Sequence, residues 1–281
     1  MMKSQPIRER NHQTLQERSG FRQEPAFLIA MYEFESRIRY SEVGEQGVLR
    51  TDALVDYLQD CSTFHMEDAG VPVESLREKG RAWLLAYWDI RIRRMPVRGE
   101  RIIVGTSPHK PHGLLANRDY WIRPAESRDY CVTACGVWFV LDTALGHPVR
   151  VPEAMMTPFG ECRDVLSMTD VTRRILLPDN MEEGTALQVQ PQQIDSNHHV
   201  NNARYIAMAE AAIRAAHRDA AERNAGSRPS FQVSRIRAEY RQAALPGDTI
   251  VPYTGKAAEG EGFVASLRDP AGSVFCNVAF T

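Results

Sequence analysis

Long apolar runs are what this 281-residue chain most plainly lacks. No stretch approaches the roughly 20 apolar residues of a membrane-spanning helix, and residues 1–27 hold no continuous apolar segment of the kind a secretory signal needs. Neither a membrane span nor export is expected. An excess of one charge is missing as well: 34 basic residues stand against 36 acidic ones, for a net charge of −2. The global field therefore gives no reason to expect nucleic acid or an anionic membrane as partner. Cysteine is scarce. Cys61, Cys131, Cys135, Cys162 and Cys276 are odd in number, show no C-x-x-C metal spacing and offer no disulfide framework for a secreted scaffold. A reducing cytoplasm is the expected location. With 43% hydrophobic and 25% charged residues, the chain is not a disordered one and has the material for a sizeable core.

Residues 1–30 are polar with scattered arginine and are expected to form a mobile extension; Glu9, Glu17 and Glu24 argue against a transit-type peptide. Beyond it, the same order of elements occurs twice. In residues 31–145, Glu33 to Tyr40 alternates like a strand. Leu54, Val55, Leu58 and Phe64 then fall at helical spacing between Thr51, a natural N-cap, and Gly70, a natural stop. Strand patterns follow over Ala82 to Arg94 and Arg101 to Thr106, and a hairpin from Leu114 to Leu141 turns at Pro124–Ser127. Residues 146–183 hold Pro148, Pro152, Pro158 and Pro178 without sustained periodicity and read as a linker. In residues 184–281 come a helix over Ala203 to Glu222, strands over Gln232 to Arg241 and Thr249 to Tyr253, and a closing hairpin at Asp269–Gly272.

The halves align without a gap when Gly99 is placed on Gly247, which puts Tyr57 on Tyr205 and Arg93 on Arg241. A duplication is expected, each unit a long helix wrapped by an antiparallel sheet, the two units pairing sheet edges.

Chemistry concentrates between Asp195 and Asn202. Gln188 to Gln193 reads as a short strand, and Asn201 or Asn202 is suited to cap the helix that follows, so Asp195 to Val200 is a loop aimed at a helix N-terminus. First-turn amides there have no intrahelical partner and add partial positive charge, so they can receive the oxyanion of a thioester carbonyl. A carboxylate just upstream can activate water or attack directly. Taken alone, an Asp-x-Asn before a helix is a common turn and cap.

The longer string Asp195-x-Asn197-x-His199-Val200-Asn201-Asn202-x-x-Tyr205, with Glu210 beyond it, resembles the signature of the acyl-acyl-carrier-protein thioesterases within the 4-hydroxybenzoyl-CoA thioesterase-like superfamily. Leu54–Gln59, Arg93-x-Met95-Pro96-x-x-Gly99-Glu100, Gly136–Val140 and Val151-Pro152-Glu153 resemble other parts of the same family, so the likeness runs from about Tyr32 to Ala279. It implies an α+β fold, a tandem double hot-dog, and hydrolysis of fatty acyl-acyl carrier protein to free fatty acid, with no cofactor. It places Asp195 as general base or nucleophile, Asn197 and His199 beside it, and the backbone amides of Val200 and Asn201 as oxyanion donors. A Glu found in many relatives shortly after the Tyr-Arg of the strand turn does not carry over: Tyr240-Arg241-Gln242 is followed by Ala243 and Ala244.

Under the gapless alignment the first-unit positions matching Asp195, Asn197 and His199 are Gly47, Leu49 and Thr51, so the first unit is expected to be non-catalytic. Its helix around Phe64 and its strand from Trp83 to Trp88 form core or an acyl pocket. Arg91, Arg93, Arg235, Arg237 and Arg241 alternate along strands and make either a solvated sheet face or a docking face for the acidic carrier protein or coenzyme A phosphates. His198 and His199 are adjacent without further zinc-spaced ligands, so no metal is expected. Two rivals share the pattern: an acyl-CoA thioesterase and a non-catalytic acyl-thioester-binding protein. A monomer or a homodimer of the tandem unit fits either.

Overall fold

A computed structural model describes residues 30–162, 164–168, 171, 173–224, 233–258 and 262–281, with 219–224 described by backbone alone. All but Ala30 of the polar extension, and the expected strand start at Gln232, lie outside the described residues.

The first unit runs β1 (Tyr32–Arg37), α1 (Thr51–Asp68), α2 (Val73–Glu78), β2 (Arg81–Ile92), β3 (Arg101–Pro108), β4 (Leu115–Pro124) and β5 (Val132–Asp142). After β6 (His147–Val149), α3 (Glu153–Met156), β7 (Glu182–Glu183) and β8 (Leu187–Gln188), the second unit supplies α4 (Asn202–Asn224), β9 (Arg235–Tyr240), β10 (Thr249–Lys256), β11 (Phe263–Arg268) and β12 (Val274–Phe280). All the strands form one sheet in the order β1-β3-β4-β5-β2-β9-β12-β11-β10-β7, with β6 on β5 and β8 on β10. The fold is α+β, a tandem double hot-dog: each long helix is wrapped by its own half of the sheet, and antiparallel pairing of β2 with β9 joins the halves.

The amphipathic helices follow from their spacing. In α1 the fully buried side chains Leu54, Leu58, Cys61 and His65 recur every three or four residues, and in α4 Tyr205, Ile206, Ala209 and Ile213 do the same. One expectation at the start of α1 fails. Arg50, not Thr51, is the cap residue and makes no side-chain cap; Thr51 is the first helical residue, and its hydroxyl donates instead to Glu210 of α4. The stop at Gly70 holds, with its N–H on Glu67 O at 2.9 Å.

Packing beneath the sheet is tight enough to specify residue size. Trp88 and Tyr120 meet edge to face at 4.7 Å. Gly105 pairs with Trp121 in register, and a Cβ there would lie 2.1 Å from Trp121 Cε2. Only glycine leaves room for that indole.

The linker is more than a crossing. Met156 and Phe159 close over Ala116, Val140 and Val151, while Ile175, Leu177 and Met181 cover Tyr87, Val137, Val264 and Ala279. Fully buried Asp119 accepts the Val165 and Leu166 N–H groups at 2.8 Å each and so fastens the linker to the sheet.

The duplication is real, but the gapless alignment is not. Strands β3 and β10 do coincide at an offset of 148 (Arg101 to Thr249). Helix and loop coincide at 151 (Thr51 to Asn202), because the first unit spends three more residues between its helix start and Gly99. The hydrogen bonds fix this register: Gly44 N–H to Val48 O and Arg50 N–H to Glu42 O in one loop match Asp195 N–H to His199 O and Asn201 N–H to Gln193 O in the other, all 2.9 Å. Tyr57 and Tyr205 are therefore not equivalent. Tyr57 bonds Glu42 and Ser36, whereas Tyr205 accepts the Ala244 N–H.

Candidate active site

The Asp195 loop is closed on itself before it meets any ligand. An isolated bridge joins Ile194 to Val200, and His198 N–H returns to Asp195 O at 3.0 Å. The expected strand over Gln188–Gln193 is only β8 followed by a 3-10 turn at Pro191–Gln193, where the proline ring sets the turn. His198 sits at φ 63°, a left-handed conformation that costs a β-carbon-bearing residue about 1 kcal/mol or more. Its counterpart in the first unit is Gly47, at φ 73°, which escapes that cost.

Within this loop Asp195 is half-buried. Its Oδ1 accepts the Asn197 N–H at 2.8 Å, with a long contact to His199 N–H at 3.5 Å. Its Oδ2 takes part in no hydrogen bond among the described residues, and neither does the half-buried His199 ring. Asn201 caps α4 as its residue type suggests, its Oδ1 accepting Ala203 N–H at 2.8 Å.

The two amides expected to hold an oxyanion are engaged elsewhere. Val200 N–H donates to Ala244 O at 3.0 Å and Asn201 N–H to Gln193 O at 2.9 Å, the bonds that shape the loop. Ala203 and Arg204 N–H are held by Asn201 as well. Asn202 N–H, at the first helical residue, makes no hydrogen bond among the described residues.

Residues far away in sequence brace this helix start. Gln59 of α1 accepts from Asn202 Nδ2 at 2.9 Å and reaches Asn201 Oδ1 at 3.4 Å. Tyr240 donates to Asn202 O at 3.0 Å and meets Tyr205 edge to face at 5.9 Å. Burial pushes both phenols well above their ordinary range, so they remain protonated fixtures. Arg77 of α2 donates to Asn197 Oδ1 at 3.0 Å and Ser196 O at 3.4 Å. None of these braces has a signal in the linear spacing; the chain must fold before they meet.

The helix pair repeats its contacts. Thr51 with Glu210 and Asn202 with Gln59 occupy equivalent places at the offset of 151. Glu210 also pairs with Arg214 at 2.6 Å, so it ties helices together and does not reach the loop. Arg204 bonds Asp52 and Asp56 across the same interface. With the register corrected, Asp195, Asn197 and His199 fall on Gly44, Gln46 and Val48, again without a carboxylate or imidazole. Ala243 is exposed beside the site and Ala244 is buried.

One turn along α1 from Gln59 lies a cavity of about 40 Å³, lined by Ser62, Met66, Trp83, Ala116, Trp138 and Phe159 among others. Trp83 lines it as expected of its strand. Phe64 does not; it packs edge to face on Phe34 at 5.4 Å. Arg118, buried in the cavity wall, bonds His65 Nδ1 at 3.1 Å and stands 5.3 Å over the Phe159 ring.

The arginine set divides. Along the seam Arg91 pairs with Arg235 in register and Asp89 with Arg237, and fully buried Asp89 binds Arg235 at 2.6 Å and Arg91 at 3.7 Å. Arg93 lies 3.9 Å from exposed Asp129 at that same end. Arg241 follows β9 at the other end, next to the Asp195 loop, and pairs with Glu239 at 2.7 Å.

Among the described residues one cluster, His109, Asp119 and Asp164, has metal-like spacing. Its Asp119 Oδ2 stands 3.0 Å from His109 Nε2 and accepts the two linker amides, which makes it a clasp on the linker.

Comparison with known proteins bears on the fold that carries these residues. Residues 30–159 match the family model for the acyl-ACP thioesterase N-terminal domain. A chloroplastic palmitoyl-acyl carrier protein thioesterase of Gossypium hirsutum is 24% identical over 182 residues, 60% of this chain and 44% of the cotton protein. The chain thus spans less than half the length of that relative. Among solved structures, an acyl-ACP thioesterase from Bacteroides thetaiotaomicron superposes with TM-score 0.75 at 19% identity, covering 89% of this chain and 97% of that one. The 12:0-ACP thioesterase from Umbellularia californica gives TM-score 0.74 at 16% identity, over 89% and 96%.

Proposed function

We propose that this protein hydrolyses fatty acyl thioesters of acyl carrier protein to the free acid and the carrier thiol, because residues 30–159 match the acyl-ACP thioesterase N-terminal domain model and most of the chain shares the fold of such thioesterases. The observation that carries the chemistry is Asp195, whose Oδ1 is anchored by the loop while Oδ2 is left open beside the start of α4. Two routes use that oxygen. Oδ2 takes a proton from a water that adds to the carbonyl carbon, or Oδ2 itself adds and the resulting anhydride is hydrolysed. In both, the carbonyl electron pair moves onto oxygen and returns as the C–S bond breaks and the thiol leaves. Asn202 N–H and the positive end of α4 face the developing charge. His199 is assigned to hydrogen-bond the thioester or the carboxylate.

The acyl chain is assigned to the cavity between Met66 and Trp83, which lies on the same face of α1 as Gln59 and hence next to the helix start. Its 40 Å³ is far below the ~300 Å³ of a typical ligand pocket. An acyl chain must therefore push the linker residues Met156 and Phe159 aside as it enters. Arg241, at the Asp195 end of the seam, is the arginine best placed to meet an acidic carrier, whereas Arg237 lies at the middle of the seam and Arg91, Arg93 and Arg235 toward the far end. A second reading, binding without turnover, is favoured by one feature, the alanine at position 243 in place of a second carboxylate.

Thiol release from acyl-carrier-protein and acyl-CoA substrates of several chain lengths tests both readings. Wild-type protein should release thiol, faster from the carrier protein, and Asp195→Asn should lower kcat by about 10²- to 10⁴-fold. No release from either carrier sinks the enzyme, and full activity in Asp195→Asn sinks the site. Oxygen-18 appearing in Asp195 after a single turnover selects the nucleophilic route, and an Ala243→Glu variant that gains rate shows that the missing carboxylate limits it.

A further inference from the structure

At the start of α4, Asn202 N–H is the amide left for an oxyanion among the described residues, since those of Val200, Asn201, Ala203 and Arg204 are engaged. Sites of this kind usually present a second donor, and its loss is costly. The first unit supplies the means to aim one. A guanidinium can only donate, so the atom of the Asn197 amide that meets Arg77 Nη2 at 3.0 Å must be the carbonyl oxygen. That contact turns Nδ2, with its two N–H bonds, away from Arg77. Among the described residues Asn197 Nδ2 makes no hydrogen bond. The backbone that carries the side chain is held as well, by Asn197 N–H on Asp195 Oδ1 at 2.8 Å.

We propose that Arg77 is a positioning residue, which holds the Asn197 amide so that Nδ2 becomes the second donor to the thioester carbonyl oxygen. The proposal rests on the thioesterase reading above. It makes the site a joint product of both units: α2 of the first, through Arg77 and Asn197, completes a loop of the second. As water or Asp195 Oδ2 adds to the carbonyl carbon, Asn197 Nδ2 and Asn202 N–H share the charge on oxygen. They release it when the C–S bond breaks. In the general-base route the sulfur takes up the proton held on Asp195, and in the nucleophilic route it leaves as thiolate and is protonated by the proton that the water hydrolysing the anhydride gives up.

Asn197→Asp gives the sharpest test, because it strengthens the Arg77 contact and removes the donor. Asn197→Asp and Asn197→Ala should both lower kcat by about 10²-fold, with unchanged melting temperatures. Arg77→Ala should lower kcat between about 10- and 100-fold, as expected when a catalytic group is displaced by about 1 Å, with KM within about twofold and partial recovery in Arg77→Lys. Arg77→Ala added to Asn197→Ala should cost nothing more. Full kcat in Arg77→Ala, additive losses in the double variant, or an active Asn197→Asp overturns the proposal. A readout independent of turnover separates the two levels: the side-chain amide ¹⁵N–¹H signals of Asn197, identified by their loss in Asn197→Ala, should move in Arg77→Ala. Unmoved signals refute the contact. A wild-type protein that releases no thiol refutes the thioesterase reading and the catalytic part of this one, even where the signals do move.

Discussion

Replacing Asp89 weighs the join between the two units directly. Its carboxylate is fully buried on β2, and Arg235 from β9 of the other unit grips both oxygens at 2.8 and 2.6 Å. Arg91 adds a third contact at 3.7 Å. Breaking a buried ion pair by removing one partner costs about 3–5 kcal/mol, because the surviving charge loses its compensation. Here the survivor is partly shielded from that fate, since the Arg235 side chain keeps 29% of its exposure and can recover water. Asp89→Ala should therefore destabilise by about 2–4 kcal/mol. Asp89→Asn, which keeps the shape and one acceptor, should cost about half of that. Urea unfolding followed by fluorescence of the buried Trp88 and Trp121 measures it. The midpoint should fall without a change in slope, in one transition, because β2 and β9 are neighbouring strands of a continuous sheet. A loss below about 0.5 kcal/mol, the scale of an ordinary surface change, refutes the reasoning. So does a double Asp89→Ala/Arg235→Ala variant whose loss equals the sum of the single losses.

Gly105→Ala sets a methyl group 2.1 Å from Trp121 Cε2 and should cost at least about 1–3 kcal/mol, read as a lowered melting temperature. Ala116→Met fills the 40 Å³ cavity and should stabilise by up to about 1 kcal/mol at the usual cost of empty core volume, while slowing thiol release most for the longest acyl chains. Burial pulls the His109 pKa down, but its hydrogen bond to Asp119 and the charges of Asp119 and Asp164 outweigh this, and the net shift is upward. A raised folded pKa contributes stability that is complete below the unfolded value of about 6.5 and fades as pH rises through the folded one. Melts at a series of pH values should show wild type ahead of His109→Gln at low pH, with the gap closing as pH rises; a constant gap contradicts the clasp.

Much of this architecture could be read in the chain because local chemistry dictated it. The spacing of Leu54, Val55 and Leu58 marks α1, though Phe64 of the same pattern is exposed, Pro124–Ser127 turns a hairpin, and Asn201 caps α4 with the oxygen its residue type supplies. What escaped depended on partners distant in sequence. The fate of Val200 N–H is decided by Ala244, and nothing near position 200 reveals that this amide is engaged. Arg77 and Asn197 lie 120 residues apart on different units, so no motif connects them. Loop length misled in a different way. An alignment anchored on Gly99 and Gly247 is correct for the strands and three residues out for the helices, because the first unit has three more residues between its helix start and Gly99 than the second has before Gly247. Hence Tyr57 and Tyr205 share a residue type and not a position.

The pseudo-symmetric pair of contacts, Thr51 with Glu210 and Asn202 with Gln59, marks where the halves mirror each other, and the unlike loops mark where they have parted. In an assembly of identical single units, each substitution is imposed on every site at once, so a bulkier pocket residue and a gentler loop cannot be chosen separately. Here Met66 and Arg77 occur on one half and Asp195 on the other. Under the proposed function, chain-length preference and bond-breaking chemistry can therefore be altered one at a time, and a library confined to Ser62, Met66 and Trp83, with Arg77 kept, should vary the first while leaving the Asp195 loop untouched.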